Sequence, residues 1–444
     1  MSHARSILFK IITRTALVAG LALGIVFIPN LTIFDEKLSP EITQLLSKPA
    51  DPDITGNAAI QVYGLRADSH LDILQVGKSL LAQLRQKHKK GEPANLSDQE
   101  EKVLFGNNDF DKEWEALYPA IGCNYRNQDN CLPMLRAQIR ATPVNDQRLQ
   151  IQLERYSAII QQPHFIEDTR GMDFSSPLPD YSTLLHLNRL RNVSILEQRG
   201  LNGLIDNKAD IRFWRMALTE SQTLLGKMVA LVTLRADLAS LSQAVREEPQ
   251  LTNEHISALK KLLEPLNQDE INIDEAFTSE LRIVVDNQQE FFKSFSNQKV
   301  SNLWFLNLLV QPTASVNLYF KQTYKPVYAF GKLSSPDFYS RAQQPVKQTE
   351  FSNLNPYNLG GKIKLSKPWQ LADYIGRVHD VAGIYSLIAL QVELKTHLPQ
   401  DVVAAIKASP HKNPYTDKPF EYDSANKILS FTCFDAKDVC KIAI

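Results

Sequence analysis

The sequence predicts a mainly α-helical protein. Its parts are one amino-terminal transmembrane helix, a multi-helix periplasmic domain and a small carboxy-terminal β-hairpin. Three observations predict this. An uncharged run, Thr15–Phe34, is 20 residues long and stands just after Arg5, Lys10 and Arg14. The long middle of the chain carries apolar residues at spacings of three, four and seven, the repeat of one helix face. The last 35 residues change to two short apolar runs around a polar loop, the pattern of a hairpin.

At about 1.5 Å rise per residue, the first run is long enough to cross a hydrocarbon core of roughly 30 Å. Its basic flank is retained on the cytoplasmic side, and the first acid is Asp35. The residues from Asp35 onward are therefore expected across the membrane, in a bacterial periplasm, with the amino terminus cytoplasmic. A cleaved signal peptide needs a shorter apolar region and a small-x-small site. Residues Ile28–Phe34 are too bulky for that, and no cysteine follows the run to carry a lipid, so an uncleaved inner-membrane signal anchor is the reading adopted. Ala16, Gly20 and Gly24 recur every four residues on one face, a spacing that lets two helices approach closely for self-association. Small residues are also common in any membrane helix, which is the simpler account. The bilayer is thus the one partner expected of residues 15–34, with self-association or an envelope protein as a further partner.

The chain has 444 residues, 49 of them basic and 49 acidic. Setting aside Arg5, Lys10 and Arg14 leaves 46 basic residues (49 less 3) against 49 acidic, so the exported part is near −3. It has no basic stripe of the kind nucleic acid requires. A hydrophobic content of 43% supports at least one large core. The four cysteines form two close pairs, Cys123 with Cys131 and Cys433 with Cys440. In an oxidising compartment such pairs read as disulfides, though four cysteines allow three pairings. Local pairing is preferred because neighbours close a short loop easily. Neither pair has the C-x-x-C spacing of a redox or metal site, and no histidine pattern accompanies them. No metal and no cofactor is expected.

In chain order, residues 1–14 read as a cytoplasmic tail and 15–34 as the transmembrane helix. Residues 35–59, with their prolines, read as a linker holding one short helical turn. A helical domain follows over 60–300. Leu71, Leu74, Leu81 and Leu84 mark one apolar face, and Ser97 is a helix-cap signal. Two helices separated at Thr142-Pro143 come next. Over Asp210–Glu247 the residues Leu224, Met228, Leu231, Leu238, Leu241 and Val245 predict one helix of nearly 40 residues, with a break at Gly226. Lys227, Arg235, Asp237 and Arg246 are expected on its opposite face, and they exclude a second membrane span. The stripe reads as core packing, since a coiled-coil seam needs several unbroken heptads. Helices are also predicted at Asn253–Leu266, Glu275–Ser296 and Pro368–Leu398. Residues 301–410 read as a helical continuation with long loops, in which Asn355-Pro356 and Gly360-Gly361 are turn signals. Residues 411–444 form the hairpin, tied by the second disulfide.

Few residues invite a chemical reading. Gly77-Lys78-Ser79 resembles the end of a phosphate loop, but Asp72 stands where that motif needs glycine, and the segment is helical in pattern. His164, Glu167 and Asp168 cluster an imidazole with two carboxylates. No second histidine lies at helical spacing, so a solvated loop is the expectation. His379 and Asp380 share a predicted helix with Asp373 and Arg377. The chemical reading is a general base, His379, oriented by a carboxylate. A polar helix face with i,i+4 and i,i+3 ion pairs is preferred, because no nucleophile motif accompanies it. Trp114, Trp214, Trp304 and Trp369 are expected to pack in cores.

Three segments carry a family resemblance: Asn57–Ala67 with Val76-Gly77, Gln311–Asn317, and Asn413–Asp423. With the anchor, they resemble a group of uncharacterised single-pass inner-membrane proteins of Gram-negative bacteria. The resemblance implies topology and a shared fold, and it carries over no catalytic residue. In that group the last segment often has Gly where this chain has Asp417, which implies a different turn conformation. Two functions remain in view: a non-catalytic interaction or structural component of the cell envelope, which the lack of a catalytic constellation favours, and an anchored envelope hydrolase. The orientation is open to direct test. An alkaline phosphatase fusion after residue 60 is expected to be active, and an inactive fusion reverses the topology.

Overall fold

The computed structural model describes residues 2–47, 51–106, 116–126, 128, 130–142, 147–170, 172–173, 175–288, 291, 308–344, 355–365 and 372–444. The protein is mainly helical, with a small antiparallel sheet near its carboxy terminus. Contacts divide the chain into two compact units that do not follow sequence order. One gathers residues 1–49, 280–327 and 345–370; the other gathers 50–279, 328–344 and 371–444.

The first unit contains the apolar helix Ser2–Phe27. Among the described residues, Ile12–Asn30, most of it in this helix, is long and apolar enough to cross a membrane. The α-helix ends where Pro29 enters, and two single 3₁₀ turns, Ile28–Asn30 and Thr32–Phe34, carry the chain onward. The expected linker holds a short helix, Pro40–Leu45, capped by Ser39 and burying Ile42. The helices Pro312–Tyr319 and Leu359–Lys364 belong to the same unit.

The second unit is built around the helix Leu224–Glu247. It packs against Tyr181–Asp206, Ala209–Glu220 and Ala372–His397. The single long helix expected over Asp210–Glu247 is in fact two. The first stops at Glu220, the second starts at Leu224, and Gly226 lies inside the second. The break falls at Ser221–Thr223 because Thr223 acts as the new cap, its Oγ1 accepting from the Gly226 N–H at 2.9 Å. The charged residues of this helix also depart from expectation. Lys227, Arg235 and Asp237 are buried, so they do not form a solvated face; only Arg246 is exposed. Packing on several sides leaves the helix no continuous wet face.

Other expectations hold with shifted ends. Asn253–Leu262 stops four residues early, and Ala372–His397 occupies most of the last predicted long helix. Asp274–Asp286 starts the predicted Glu275–Ser296 helix, whose end lies outside the described residues. Cys131–Ala141 and Gln147–Ile159 part at Thr142, as read. Ser97 forms a full capping box with Glu100. Trp214 is a fully buried core residue; Trp114, Trp304 and Trp369 lie outside the described residues. Both cysteine pairs close locally, with Cα separations of 5.5 Å for Cys123–Cys131 and 5.7 Å for Cys433–Cys440.

The carboxy-terminal sheet has one strand more than the predicted hairpin. β1 (Glu421–Asp423) pairs with β2 (Ile428–Ser430), and β2 pairs in turn with β3 (Lys441–Ala443), all antiparallel. The disulfide loop returns the chain so that three residues too short to announce themselves can pair. Asp417 adopts φ +55°, the left-handed conformation that glycine favours and that Asp tolerates better than most residues.

Gly77 explains itself at the crossing of Ala58–Tyr63 with Ile73–Lys90. A Cβ there would overlap the carbonyl oxygen of Ile60, and one at Gly64 would overlap that of Ile73. Both clashes are with backbone, so neither can be relieved by a side-chain rotation. Gly77→Ala is expected to lower stability by about 1–3 kcal/mol through overpacking. Gly122→Ala, where nothing lies within 4 Å, should change it little. Chemical denaturation of the two variants against wild type checks this.

Candidate functional site

His379 and Asp380 lie on Ala372–His397 and are both fully buried, so they do not form the exposed polar helix face expected. Each has its own partners. His379 Nδ1 lies 2.8 Å from Ser335 Oγ, and its ring stacks on Phe338 with centroids 4.9 Å apart. Its Nε2 is buried with no partner among the described residues. Burial lowers its pKa to about 4. Asp380 accepts from the Tyr415 hydroxyl at 2.6 Å, the Phe434 N–H at 2.8 Å and the Asp435 N–H at 3.3 Å. Burial still raises its pKa to about 6, against the effect of these donors. The carboxylate therefore fixes the carboxy-terminal loop and does not orient the imidazole. Arg377 likewise turns to Asp435, at 3.2 Å, instead of pairing along its own helix with Asp380.

The carboxyl of Asp380 and the sulfurs of Cys433 and Cys440 lie within 4.8 Å of one another. Both sulfurs are held in a disulfide, so neither offers a thiolate to a metal. The same loop makes a second set of contacts that the sequence did not announce. Arg126, inside the first disulfide loop, pairs with Asp435 at 2.6 Å and with Asp438 at 2.7 Å. Its carbonyl accepts from the Val439 N–H at 2.8 Å. Arg235, from the central helix, pairs with the other oxygen of Asp438 at 3.1 Å and donates to the Val439 carbonyl. The two disulfide loops thus clasp each other over a buried arginine.

The His164, Glu167 and Asp168 cluster is not a solvated loop either. Glu167 and Asp168 are buried, and the three side chains diverge. His164 Nδ1 lies 3.1 Å from Glu220. Asp168 receives Arg85 and Arg170. Glu167 reaches the start of Leu224–Glu247, where it accepts from the Gln222 N–H at 2.6 Å, Thr223 Oγ1 at 2.8 Å and the Tyr181 hydroxyl at 2.8 Å. A carboxylate suits the positive end of a helix. Burial nevertheless raises its pKa above the usual carboxylate value. Gly226 is required here, because a Cβ would overlap Glu167 Oε1.

Sequence reading missed a large buried polar group. Asp237 Oδ1 accepts from Asn188 at 2.8 Å and from Asn192, and Asp210 accepts from the Tyr156 hydroxyl at 2.5 Å and from Arg191. Trp214 donates to the Tyr156 oxygen at 3.3 Å. Burial raises the pKa of both carboxyls, and Asp237 is pushed up further by the charge of Asp210. The available signal was Asn188 and Asn192, polar residues at helical spacing among Leu184, Leu187 and Val193. Lys227, expected on the exposed face, is buried against the Asn272 carbonyl, and burial lowers its pKa to about 8.

A recess of about 890 Å³ runs along Ala209–Glu220 and Asn253–Leu262. Another, of about 380 Å³, lies beside residues 53–61 and the helix Ile73–Lys90. His164, Glu167, Asp168, His379 and Asp380 line neither of them. Comparison with models of protein families, with curated proteins and with solved structures finds no match.

The buried pair on Ala372–His397 has opposite linkage to pH. Asp380 holds its proton more tightly when folded, so its contribution falls as pH rises from 3.8 to about 6. His379 resists protonation when folded, so its contribution falls as pH drops from 6.5 to about 4. The two slopes oppose each other in wild type. Asp380→Asn is expected to leave the His379 slope, making the variant lose stability relative to wild type as pH falls from 6 to 4. Urea titrations at several pH values measure this difference; parallel curves for variant and wild type count against it.

Proposed function

We propose that this chain is a single-pass inner-membrane protein of the bacterial cell envelope, its amino terminus cytoplasmic and its main part periplasmic. Its work there is non-catalytic: to hold or bind another envelope component at a fixed place above the membrane. The resemblance to uncharacterised inner-membrane proteins and the two cysteine pairs, which suit an oxidising compartment, support the location.

The observation that carries the reading is how the chain leaves its apolar helix. Asn30 is buried; its amide donates to the Val26 carbonyl at 2.6 Å and the Pro356 carbonyl at 2.7 Å, and its oxygen accepts from the Asn358 N–H at 2.7 Å. Gln311 donates to the Pro29 carbonyl at 3.2 Å and the Leu31 carbonyl at 2.8 Å. Asp35 accepts from the Thr313 and Ala314 N–H groups at 2.8 and 3.0 Å, capping Pro312–Tyr319. Asn317 accepts from the Ser39 N–H at 2.9 Å and donates to the Lys37 carbonyl at 3.0 Å. A tether that only localises an enzyme needs no such clamp. A protein that must present a surface at one height and orientation does.

The test is copurification after mild crosslinking in membranes. Wild type is expected to bring down a stoichiometric envelope partner. Asn30→Ala leaves the buried Asn358 N–H without its acceptor, at a cost of about 1–3 kcal/mol to the clamp. It should reduce that recovery while the protein remains in the membrane fraction. Repeated recovery of the wild-type protein alone counts against the proposal, and a hydrolytic activity abolished by Ser335→Ala would favour the enzyme reading instead.

A further inference from the structure

We infer that the recess beside residues 53–61 is a binding site for the carboxy-terminal end of a peptide whose last side chain is aliphatic. This site shares Arg85 with the Asp168 cluster, but its own opening is lined by residues 53–61 and the helix Ile73–Lys90.

The recess has a volume of about 380 Å³. That lies within the range of roughly 300–1,000 Å³ typical of small-molecule sites. One wall is a single face of Ile73–Lys90, formed by Leu74, Lys78, Leu81 and Arg85. Ile60 and Gln61 from Ala58–Tyr63 form a second wall, and residues 53–57 close the rim. The tight crossing at Gly64 and Gly77 brings these two helices close enough to share the space.

Three features define the occupant. The first is charge. Lys78, Arg85 and Asp53 are the charged residues of the lining. Arg85 is committed to Asp53 at 3.0 Å and to Asp168, and Asp53 also takes Arg170 at 2.7 Å. Lys78 has no acidic partner among the described residues, which leaves one ammonium for one ligand anion. The second is hydrogen bonding. Gln61 Oε1 is shielded from solvent and has no donor among the described residues. A buried acceptor left unpaired costs about 1–3 kcal/mol, so turning the Gln61 amide to meet a ligand N–H in the recess recovers that cost. The third is the apolar part of the lining, Ile54, Ile60, Leu74 and Leu81. A free carboxylate, an adjacent amide N–H and an aliphatic side chain occur together at the carboxy terminus of a peptide. A bare inorganic anion offers neither the N–H nor the aliphatic group.

The former phosphate-loop signal acquires a different meaning here. Lys78 is not a phosphate ligand at a strand-to-helix turn; it is an exposed lysine in the middle of a helix, beside a recess. It recognises a carboxylate as a point charge, with the selectivity supplied by Gln61 and the apolar wall.

The test uses the full chain in detergent and two probes, N-acetyl-leucine and N-acetyl-leucinamide, titrated by ligand-observed NMR. The acid is expected to bind, and the amide to bind about tenfold or more weakly, the size of a lost charge-assisted hydrogen bond. Lys78→Gln should bring the two probes to equal affinity. Gln61→Met, which keeps the side chain's length and removes the acceptor, should weaken both while the Lys78-dependent preference stays. Lys78 is exposed, so Lys78→Gln is expected to keep the wild-type circular dichroism spectrum. Absence of binding by wild type overturns the inference, as does equal binding of the two probes, or a preference for the acid that survives Lys78→Gln.

Discussion

Charge brought into the core by one helix is the constraint on which the second unit depends. Leu224–Glu247 is packed by three other helices, and it still carries Lys227, Arg235 and Asp237 inward. An isolated charge in such a place would cost several kcal/mol. Each is met by groups from distant parts of the chain. Lys227 reaches the Asn272 carbonyl, Asp237 takes Asn188 and Asn192, and Arg235 takes Asp438 and the Val439 carbonyl. The helix cannot be placed correctly unless these partners are also in place, which ties the carboxy-terminal loop to the middle of the chain.

The two disulfides belong to the same arrangement. Each closes a short loop, and on the chain-entropy estimate each contributes about 2–3 kcal/mol. Their value lies equally in what the loops present. Arg126 from one loop and Asp435 and Asp438 from the other meet over Arg235. Asp380 holds the backbone of the second loop from below through Phe434 and Asp435. Of the carboxylates that looked like candidates for catalysis, Asp380 and Glu167 act as acceptors for backbone and hydroxyl donors, and Asp168 is held by Arg85 and Arg170. Asp35, outside that set, accepts backbone N–H groups at the start of Pro312–Tyr319.

The three segments Asn57–Ala67, Gln311–Asn317 and Asn413–Asp423 have different structural roles with one chemistry in common. Asn57 accepts from the Ile166 N–H and donates to the Ile166 carbonyl; Gln311 and Asn317 hold the exit from the apolar helix; Asn413 accepts from the Tyr415 N–H in the turn that places the Tyr415 hydroxyl on Asp380. In each, a short amide side chain substitutes for a missing backbone partner where the chain is irregular. Such residues specify connections between segments, and their spacing shows no periodicity. Loops without a repeat can thus be as constrained as helices with one.

Local chemistry was legible in the sequence. The apolar run of the first helix, the capping box at Ser97, the local cysteine pairs and most helices follow from composition and spacing within a few residues, because each depends on near neighbours. The hairpin was legible for the same reason, but β3 was not, since its pairing depends on a disulfide loop bringing it back to β2. The break at Ser221–Thr223 was placed wrongly because glycine is a weak signal beside a threonine cap held by a buried glutamate. Burial of Lys227, Arg235, Asp237, Glu167 and Asp380 was invisible, because a charged residue at a helix position reads as solvent-facing until its partners are known. Those partners stand far along the chain, Asp438 more than 200 residues from Arg235. The sequence by itself determined which segments are helices and which helix can enter a membrane. Only the tertiary structure decided which charges are inside, because pairing a buried charge is a property of the space around it and leaves no mark on the residues beside it.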